Sequence, residues 1–374
     1  MMISMDIFVS FVVFILLVLS SESAKHMKSI KLSKNVIYDC VDIYKQPSLR
    51  HPLLKHHKIQ MKPTGWDSQP KNKFVDTQHK NNNNNNIQCP IGTVPILRTK
   101  KEHVMQSQEY PINQFTTLTA QYPGTHIAGM KIDGPRNHLG MEAGLWTYNV
   151  SIGKNQSSSA IAYVASRSKY DGNSIQVGWM INEKLFGDTR PWRYGSWLGI
   201  LGSGCMNLQC PGFVQVAYDD PMNKPLNVTD GRSHLLWLTI HQDKETKDWW
   251  FSQTNPDQLS QKHLGYWPKE LFNLFRYGAN FVGFGGIVTG DPRSPSPPMG
   301  NGHLPNKHDR LASGSLDHLT TIDMDDTHAG FNEFMAVPLV DSKVCYDVHY
   351  VGYVDEDVGI AVSYGGPGGI KCGD

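Results

Sequence analysis

The sequence lacks the signatures of several common enzyme classes. It contains no His-Glu-x-x-His zinc motif, no Gly-x-Ser-x-Gly nucleophile turn and no glycine-rich phosphate-binding loop. It also lacks a charge imbalance, because 35 basic residues offset 34 acidic residues to give a formal net charge of +1. The charge therefore gives no reason to expect nucleic acid or an anionic membrane as a partner. We expect neither a metal ion nor a cofactor.

The sequence also lacks an apolar run long enough to cross a membrane. The run at the N-terminus, Ile7 to Leu19, is interrupted only by Ser10, and its 13 residues fall short of the roughly 20 that a span needs. Small residues follow as far as Ala24, which suits cleavage of a secretory signal peptide. The segment before the run departs from the usual pattern, because it has Asp6 and no Lys or Arg. We predict a signal peptide at residues 1–24, with an uncleaved anchor as the alternative, and no membrane contact after cleavage.

Six cysteines indicate an oxidising compartment. Six cysteines allow 15 disulfide pairings, so the sequence alone does not fix the connectivity. Two of them precede residue 100 and four follow it, and each group is even in number. We favour the pairs Cys205–Cys210, Cys345–Cys372 and, on weaker grounds, Cys40–Cys89. Cys205 and Cys210 could instead form half of a zinc site, but no second close Cys or His pair accompanies them.

Three acceptor sequons for N-glycosylation occur in the chain. They begin at Asn149, Asn155 and Asn227. In a secreted chain each sequon that is used marks an exposed position. We expect one or two of the three to be occupied.

The chain divides into a front segment and a strand-rich remainder. The front segment, residues 25–109, is rich in basic residues, His and Pro, and six consecutive asparagines occupy positions 81–86. Such a composition predicts an extended segment that cannot bury a core by itself and contains a disordered tract. A linker, a disordered tail and a pro-region all fit this pattern.

Residues 110–374 show the pattern of a β-protein. The apolar runs 235–241 and 249–251 flank a polar turn, which predicts a hairpin, and the runs 160–165, 213–217 and 344–351 are also typical of strands. One helix is predicted between Pro268 and Gly278, from the Pro at its start, the apolar residues within it and the terminal Gly. Many short strands with turn signals predict an antiparallel sandwich or barrel.

Two parts of the front segment resemble the activation peptide of the neprosin family, a family of plant peptidases. The first is Cys-Val-Asp-Ile-Tyr-Lys-Gln-Pro at 40–47, followed by His-Pro-Leu-Leu-Lys at 51–55 and His-Lys-Ile-Gln-Met-Lys-Pro at 57–63. The second is Cys-Pro-Ile-Gly-Thr-Val-Pro-Ile at 89–96. The resemblance implies that residues 25–109 are an activation-peptide region whose variable middle contains the asparagine run.

The remainder resembles the peptidase domain of the same family. The similarity lies in the order and spacing of these motifs: Gln-Val-Gly-Trp at 176–179, Asn-Glu-Lys-Leu-Phe-Gly-Asp at 182–188, the stretch 204–215, Gly-Tyr-Trp-Pro at 265–268, Phe-Gly-Gly-Ile-Val at 284–288 and Met-Gly-Asn-Gly-His at 299–303. The resemblance implies an all-β fold, an antiparallel two-sheet β-sandwich with its site on a concave face, preceded by a poorly structured activation region. Catalytically competent members of the family are acid-acting glutamic peptidases that resemble prolyl endopeptidases.

The resemblance also implies a catalytic pair of glutamates, and both are replaced here. Their positions match Gln176 and Ile287. A pair of carboxyl groups with separated pKa values can activate water with one member and protonate with the other. A glutamine amide can still donate a hydrogen bond to an oxyanion, but it is no proton acceptor, and isoleucine can do neither. General acid–base catalysis, typically worth about 10²–10⁴ in rate, would be lost.

Other residues are candidates for a peptide-binding groove or a substitute carboxylate. The groove candidates are Trp179, Asp188, Trp249, Trp250, Tyr266 and Trp267. An aromatic groove without the acid pair could still bind Pro-containing peptides, although ordinary core packing explains such aromatics equally well. Asp188 is the first candidate for a substitute base. Glu142, Glu183 and Asp291 are weaker candidates. Alternatively, Asp188 is an ordinary turn residue.

Three functions remain open from the sequence. The first is a secreted, catalytically impaired neprosin-like protein that binds a peptide or a Pro-rich protein. The second is an active acid peptidase that cleaves after Pro with a substitute carboxylate. The third is a structural extracellular protein. In each case we expect a monomer in the cell wall, the apoplast or the vacuole.

Overall fold

A computed structural model describes residues 28–64, 87–99, 123–226, 228 and 234–372. These residues form three antiparallel β-sheets, one small and two large. The predicted signal peptide and the asparagine run lie outside the described residues. Within the described ranges, no helix has the length and apolar character that a membrane crossing requires.

The small sheet comes from the front segment. Its strands, in the spatial order β1-β2-β3, are β1 (Ser29–Lys31), β2 (Ile37–Asp42) and β3 (Thr93–Leu97). Three short 3₁₀ turns follow β2, at Ile43–Lys45, Pro47–Arg50 and Pro52–Leu54. Prolines open the last two turns, where a missing N–H costs nothing.

The eight-stranded sheet has the spatial order β11-β8-β7-β6-β15-β4-β18, and β9 pairs with β8. Its strands are β4 (Thr125–His138), β6 (Ser157–Arg167), β7 (Gly172–Ile181), β8 (Trp192–Leu198), β9 (Gly204–Met206), β11 (Lys224–Pro225), β15 (Ala279–Thr289) and β18 (Ala336–Val340). A one-turn helix α1 (Glu183–Phe186) follows β7. Asn182 caps its first turn, and Gly187 ends it at a φ of 75°.

The nine-stranded sheet has the spatial order β10-β14-β13-β12-β5-β16-β20-β19, and β17 pairs with β16. Its strands are β5 (Gly140–Trp146), β10 (Val214–Gln215), β12 (Leu235–Gln242), β13 (Trp249–Asn255), β14 (Ser260–Trp267), β16 (Gly314–Ile322), β17 (His328–Ala329), β19 (Asp347–Tyr353) and β20 (Ile360–Gly365). The predicted hairpin is confirmed, because β12 pairs with β13 around the turn.

The core lies between the two large sheets. Alternate residues of β7 (Ile175, Val177) point inward and meet alternate residues of β12 (Leu236, Leu238). Burying each such aliphatic side chain contributes about 1.5–3 kcal/mol. The predicted fold class, an antiparallel two-sheet β-sandwich, is confirmed.

The front segment contributes apolar side chains to this body. Ile43, Leu54 and Val94 are buried within the main core cluster, whereas Val36 and Tyr38 are buried on the outer face of the eight-stranded sheet. These side chains are buried in clusters with residues of the large sheets. This agrees with a segment that has no core of its own.

The predicted helix between Pro268 and Gly278 is wrong. The structure has only a 3₁₀ turn there, Lys269–Leu271. At Phe272, the next residue, the backbone is already in an extended conformation. The side chain of Asn173 explains why, because its Oδ1 accepts hydrogen bonds from the backbone N–H groups of residues 273 and 274 at 3.0 and 2.7 Å. Tertiary hydrogen bonds here replace the helical ones.

The three favoured disulfide pairings are confirmed. Cys40 is bonded to Cys89, Cys205 to Cys210 and Cys345 to Cys372. The zinc alternative for Cys205 and Cys210 is therefore wrong, since both sulfurs are used in a disulfide.

Candidate functional site

The site face is defined here as the face of the eight-stranded sheet that points away from the nine-stranded sheet. Strand alternation assigns Tyr163, Met180 and Ile287 to this face, in an apolar cluster separate from the main core. Gln176 lies on the same face, because it is four residues from Met180 along β7. Both predicted catalytic positions therefore share one face of one sheet.

The strand register does not place these two positions opposite each other. Gln176 pairs with Tyr163, which pairs with Gly283 on β15, whereas Ile287 pairs with Ser159. The Cα atoms of Gln176 and Gly283 are two strands apart, roughly 10 Å. Ile287 lies four residues further along, which makes the separation roughly 16 Å. The residue of β15 that lies in register with Gln176 is therefore Gly283, and the two positions that resemble the family's glutamate pair share a face without being in register.

The space above Gly283 is filled by Tyr163. A Cβ atom on Gly283 would collide with the phenol of Tyr163 and would lie 2.7 Å from the carbonyl oxygen of Met130. A larger side chain at position 283 therefore requires the tyrosine ring to move. The phenol of Tyr163 therefore occupies the space that a side chain at position 283 would need.

Three buried polar side chains lie side by side across the site face. Tyr163, Gln176 and Ser196 occupy directly paired positions on β6, β7 and β8, and they are called the polar row below. Each is 1% exposed. The Tyr163 hydroxyl, both amide atoms of Gln176 and the Ser196 hydroxyl have no hydrogen-bond partner among the described residues. Buried polar groups normally have partners, so this row is a candidate binding site.

An apolar cavity adjoins the polar row. It is partly open, has a volume of about 10 Å³, which is room for about one water molecule, and Tyr163 belongs to its lining. The other side chains that line it include Ile127, Ile161, Ile287 and Leu339. Ile287 thus forms part of the wall of an apolar cavity.

The polar row and the cavity lining contain no carboxylate. On the site face, Asp133 of β4 lies beyond β15 and is paired with Lys131 at 2.6 Å. Asp188 is held by Arg190 at 2.6 Å, and it also accepts a hydrogen bond from the indole of Trp192 at 2.7 Å. The turn reading of Asp188 fits these contacts better than a role as base.

The remaining carboxylate candidates lie elsewhere. Glu142 is on β5 of the other sheet and accepts a hydrogen bond from the indole of Trp237 at 2.7 Å. Asp291 is in a loop, paired with Arg293 at 3.0 Å. Glu183 is in the first turn of α1.

The five aromatic groove candidates are buried instead. All have an exposure of 0%. Trp179, Trp249 and Trp267 pack between the two sheets, whereas Trp250 and Tyr266 form a small cluster against the front segment. The structure therefore contradicts an open aromatic groove made of these residues and supports the core alternative.

The front segment covers parts of both large sheets. The Tyr38 hydroxyl donates to the backbone oxygen of Asn223 at 2.9 Å, and burial raises the pKa of this phenol far above its ordinary value. On the nine-stranded sheet, the backbone N–H of Gln60 donates to the Tyr266 hydroxyl at 2.9 Å. Polar contacts thus add to the apolar ones that hold this segment.

Asp243 provides the densest polar contact with the front segment. Its Oδ2 accepts hydrogen bonds from the backbone of Thr64 at 2.6 Å and from the side chain of Gln60 at 2.9 Å. Burial alone would raise the pKa of Asp243, but these hydrogen bonds outweigh burial and lower the pKa to about 2. The stabilisation is present above the ordinary value of 3.8 and is lost as the pH falls towards 2.

Two of the three sequons lie at the surface of the described residues. Asn149 and Asn155 are exposed. Ser157 of the second sequon is buried and shares a hydrogen bond of 2.6 Å with Thr289. Asn227 lies outside the described residues. Glycosylation of Asn149 and Asn155 stays a prediction.

Sequence reasoning missed Tyr163, Ser196 and Gly283. Tyr163 is within the run 160–165, which alternation predicted as a strand, and pairing that run with the run around Gln176 would have brought it to the site. Ser196 has no local signal in the sequence. Gly283 is more than 100 residues from Gln176, and only the three-dimensional register connects the two.

We expect the Tyr163→Phe variant to be more stable than the parent by about 1 kcal/mol. The variant keeps the ring but removes a buried hydroxyl without a partner, which would otherwise cost about 1–3 kcal/mol. Tyr346→Phe is the matched control, because its hydroxyl donates to the oxygen of Pro297 at 2.7 Å, and this variant should lose about 1 kcal/mol. Urea unfolding of both proteins measures the difference. Equal losses in the two variants would contradict an unpartnered Tyr163 hydroxyl.

Comparison with known proteins places the chain in a family. Among solved structures, it is similar to scytalido-glutamic peptidase with a transition state analog inhibitor (9% identity, 64% of this chain and 98% of that chain, TM-score 0.37). It is also similar to SCP-B, a member of the Eqolisin family of peptidases, in complex with the tripeptide Ala-Ile-His (10% identity, 64% and 97%, TM-score 0.34). The Neprosin activation peptide family model matches residues 29–123, and the Neprosin family model matches residues 154–367, more than half of the chain. The chain therefore belongs to the neprosin family.

Proposed function

We propose that this chain is a secreted neprosin-family protein that binds peptides on the site face without cutting them. The observation that carries the proposal is one pair of positions on that face. Gln176 and Gly283 lie in register two strands apart, and the phenol of Tyr163, on the strand between them, fills the space above Gly283. Neither position has a carboxylate.

The chemistry of the polar row supports binding over hydrolysis. The row offers a phenol, a carboxamide and a hydroxyl, which donate and accept hydrogen bonds but do not act as general bases in mild acid. Burial raises the pKa of Tyr163 well above 10, so this phenol stays protonated and is a donor. A carbonyl oxygen could be held here, but no group could deprotonate an attacking water molecule.

Secretion is part of the same proposal. The three disulfides are typical of proteins from oxidising compartments, and the apolar run at Ile7–Leu19 has the length of the apolar region of a signal peptide. The cell wall, the apoplast and the vacuole are the destinations that we propose.

The test is an assay for cleavage by the secreted full-length protein. A quenched-fluorescent peptide that contains Pro is incubated with it between pH 2.5 and 6, and binding of an unquenched peptide is measured in parallel by fluorescence polarisation. We expect binding without turnover. Cleavage that survives serine, cysteine and metal inhibitors and is absent from Gln176→Ala would instead show an active peptidase with a relocated carboxylate. If the folded protein neither binds nor cleaves the peptide, a structural role is favoured instead.

A further inference from the structure

The front segment closes one edge of the nine-stranded sheet. β10 is the last strand at that end, and among the described residues no strand pairs with its outer side. The side chain of Gln46 lies there instead. Its Oε1 accepts a hydrogen bond from the backbone N–H of Gln215 at 2.9 Å, and its Nε2 donates to the backbone oxygen of Gln215 at 3.2 Å. One carboxamide thus binds the two groups that the peptide groups of a further strand would bind.

This contact at the sheet edge is shielded from water. Gln46 is 1% exposed and Gln215 is 0% exposed, and the Nε2 of Gln46 also donates to the backbone oxygen of Ile43 at 2.9 Å. If the front segment left, both backbone groups of Gln215 would lose their partner. The same edge would then be open to pairing with another chain. The nine-stranded sheet therefore depends on the front segment for its closure at β10.

Apolar side chains anchor the front segment at two further places. One group belongs to the main core cluster and another to the cluster on the outer face of the eight-stranded sheet, and each member is at most 8% exposed. The first group is Ile43, Leu54, Val94 and Ile96, and the second is Val36, Tyr38 and Ile87. Separation of the front segment would expose these side chains and the apolar surface that they cover, which the hydrophobic effect opposes.

We propose that the front segment is a permanent part of the folded protein, which stays bound to the sandwich after the chain is cut between the two. The resemblance to an activation peptide implies a segment that leaves, whereas these contacts predict a complex of two chains. The partner that the surface around β10 fits is thus a segment of the same chain. This inference does not rest on the proposed function, because it concerns what completes the fold and not what the site face binds.

The experiment uses the full-length chain with a recognition sequence for a site-specific protease inserted between residues 109 and 110. The protein is cut under native conditions at pH 7, and a reducing denaturing gel shows that cutting is complete. We expect size-exclusion chromatography at about 1 μM to leave at least about 90% of the front segment with the sandwich, which requires a dissociation constant of about 10 nM or below. A front segment that elutes separately from a folded sandwich would overturn the inference.

Gln46→Leu tests the contact at the sheet edge. Leucine has a similar size but leaves the buried backbone groups of Gln215 unpaired, so the front segment should be released at least about 10-fold faster after dilution of the cut protein. Gln88→Leu is the matched control, because Gln88 is an exposed residue of the same segment, and its release rate should equal that of the parent. Equal release rates for the two variants would overturn the role of Gln46 in closing the edge.

Asp243→Asn tests the interface from the sandwich side and leaves the front segment unaltered. The new NH2 group would meet hydrogen-bond donors where the carboxylate accepts from Thr64 and Gln60, so release should again be at least about 10-fold faster. Asp323→Asn is the matched control, because the Oδ1 of Asp323 accepts only from backbone N–H groups of its own turn, at residues 325 and 327. Thermal melting of the uncut proteins confirms that every variant is folded. Equal release rates for these two variants would contradict the docking of residues 60–64 as part of the interface.

Discussion

An Arg193→Met variant is expected to lose about 3–5 kcal/mol of its free energy of unfolding. The guanidinium of Arg193 is completely buried, and its ion pair with Asp220 has a length of 2.6 Å. It also donates to the backbone oxygen of Met222 at 2.9 Å and to the side chain of Gln253. Since Arg193 is on β8 and Gln253 is on β13, the hydrogen bond to Gln253 connects the two large sheets.

The loss has a specific electrostatic cause. Burial raises the pKa of Asp220, but the charges of Arg193 and Lys224 outweigh burial and hold the pKa well below its ordinary value. Without Arg193, the buried carboxylate keeps only Lys224, at 2.7 Å, as a counter-charge. Removing one partner from a buried ion pair is costly because the other charge remains out of water.

Urea unfolding of the full-length chain at pH 7 measures this effect. Arg190→Met is the matched control, because Arg190 pairs with Asp188 near the surface with 39% of its side chain exposed. Exposed pairs contribute about 0–1 kcal/mol. A loss below about 1 kcal/mol in Arg193→Met, similar to that of the control, would contradict a structural role for the buried pair.

Acidification is expected to shift the stabilities of Asp248→Asn and His263→Gln in opposite directions. Burial raises the pKa of Asp248 from its ordinary 3.8 to about 6, and burial lowers the pKa of His263 from 6.5 to about 4. The native state therefore binds an extra proton at Asp248 between about pH 4 and 6. The unfolded state binds an extra proton at His263 between about pH 4 and 6.5. In the parent protein these two effects oppose each other.

Each variant should expose the effect of the residue that remains. With Asp248 removed, His263 makes the protein lose about 2–3 kcal/mol as the pH falls from 7 to 4. With His263 removed, Asp248 makes the protein gain about 2–3 kcal/mol over the same interval. An asparagine can keep the hydrogen bond that Asp248 accepts from the backbone of Lys269 at 2.9 Å, so the comparison isolates the charge.

The measurement is the free energy of unfolding of the two variants and the parent at several pH values from 4 to 7. The two variants should differ by roughly 5 kcal/mol in their response to acid, with the parent between them. Parallel curves for all three proteins would show that neither group has the pKa that its burial implies.

Local pattern was sufficient for much of the fold. The hairpin formed by β12 and β13 was predictable because apolar alternation and a polar turn lie within 21 residues of sequence. Parity of the cysteines favoured the three disulfides without fixing them, since it leaves three ways of pairing the four cysteines after residue 100. The segment from Pro268 to Gly278 was not predictable from the same signals, since the side chain of Asn173, about 100 residues away, captures its backbone N–H groups.

The site was only half predictable. The motif around Gln176 located one strand of the site face, and the motif around Ile287 located another. Their relative register depends on β6, which lies between them and pairs with both. A sequence motif carries no information about that pairing, so it could not show which residue of β15 lies in register with Gln176. The aromatic residues were misleading because tryptophan stabilises a core as well as a groove.

The Cys40–Cys89 disulfide has a consequence for any protease that meets this protein. The bond spans 49 residues and closes a covalent ring that includes the asparagine run. A single cut anywhere inside that ring yields two chains that stay joined through sulfur, so residues 28–40 would remain attached to everything after Cys89. Such a nicked molecule would migrate at its full mass on a non-reducing gel and would separate into two bands only after reduction. Shedding the segment by proteolysis therefore takes a cut on the C-terminal side of Cys89.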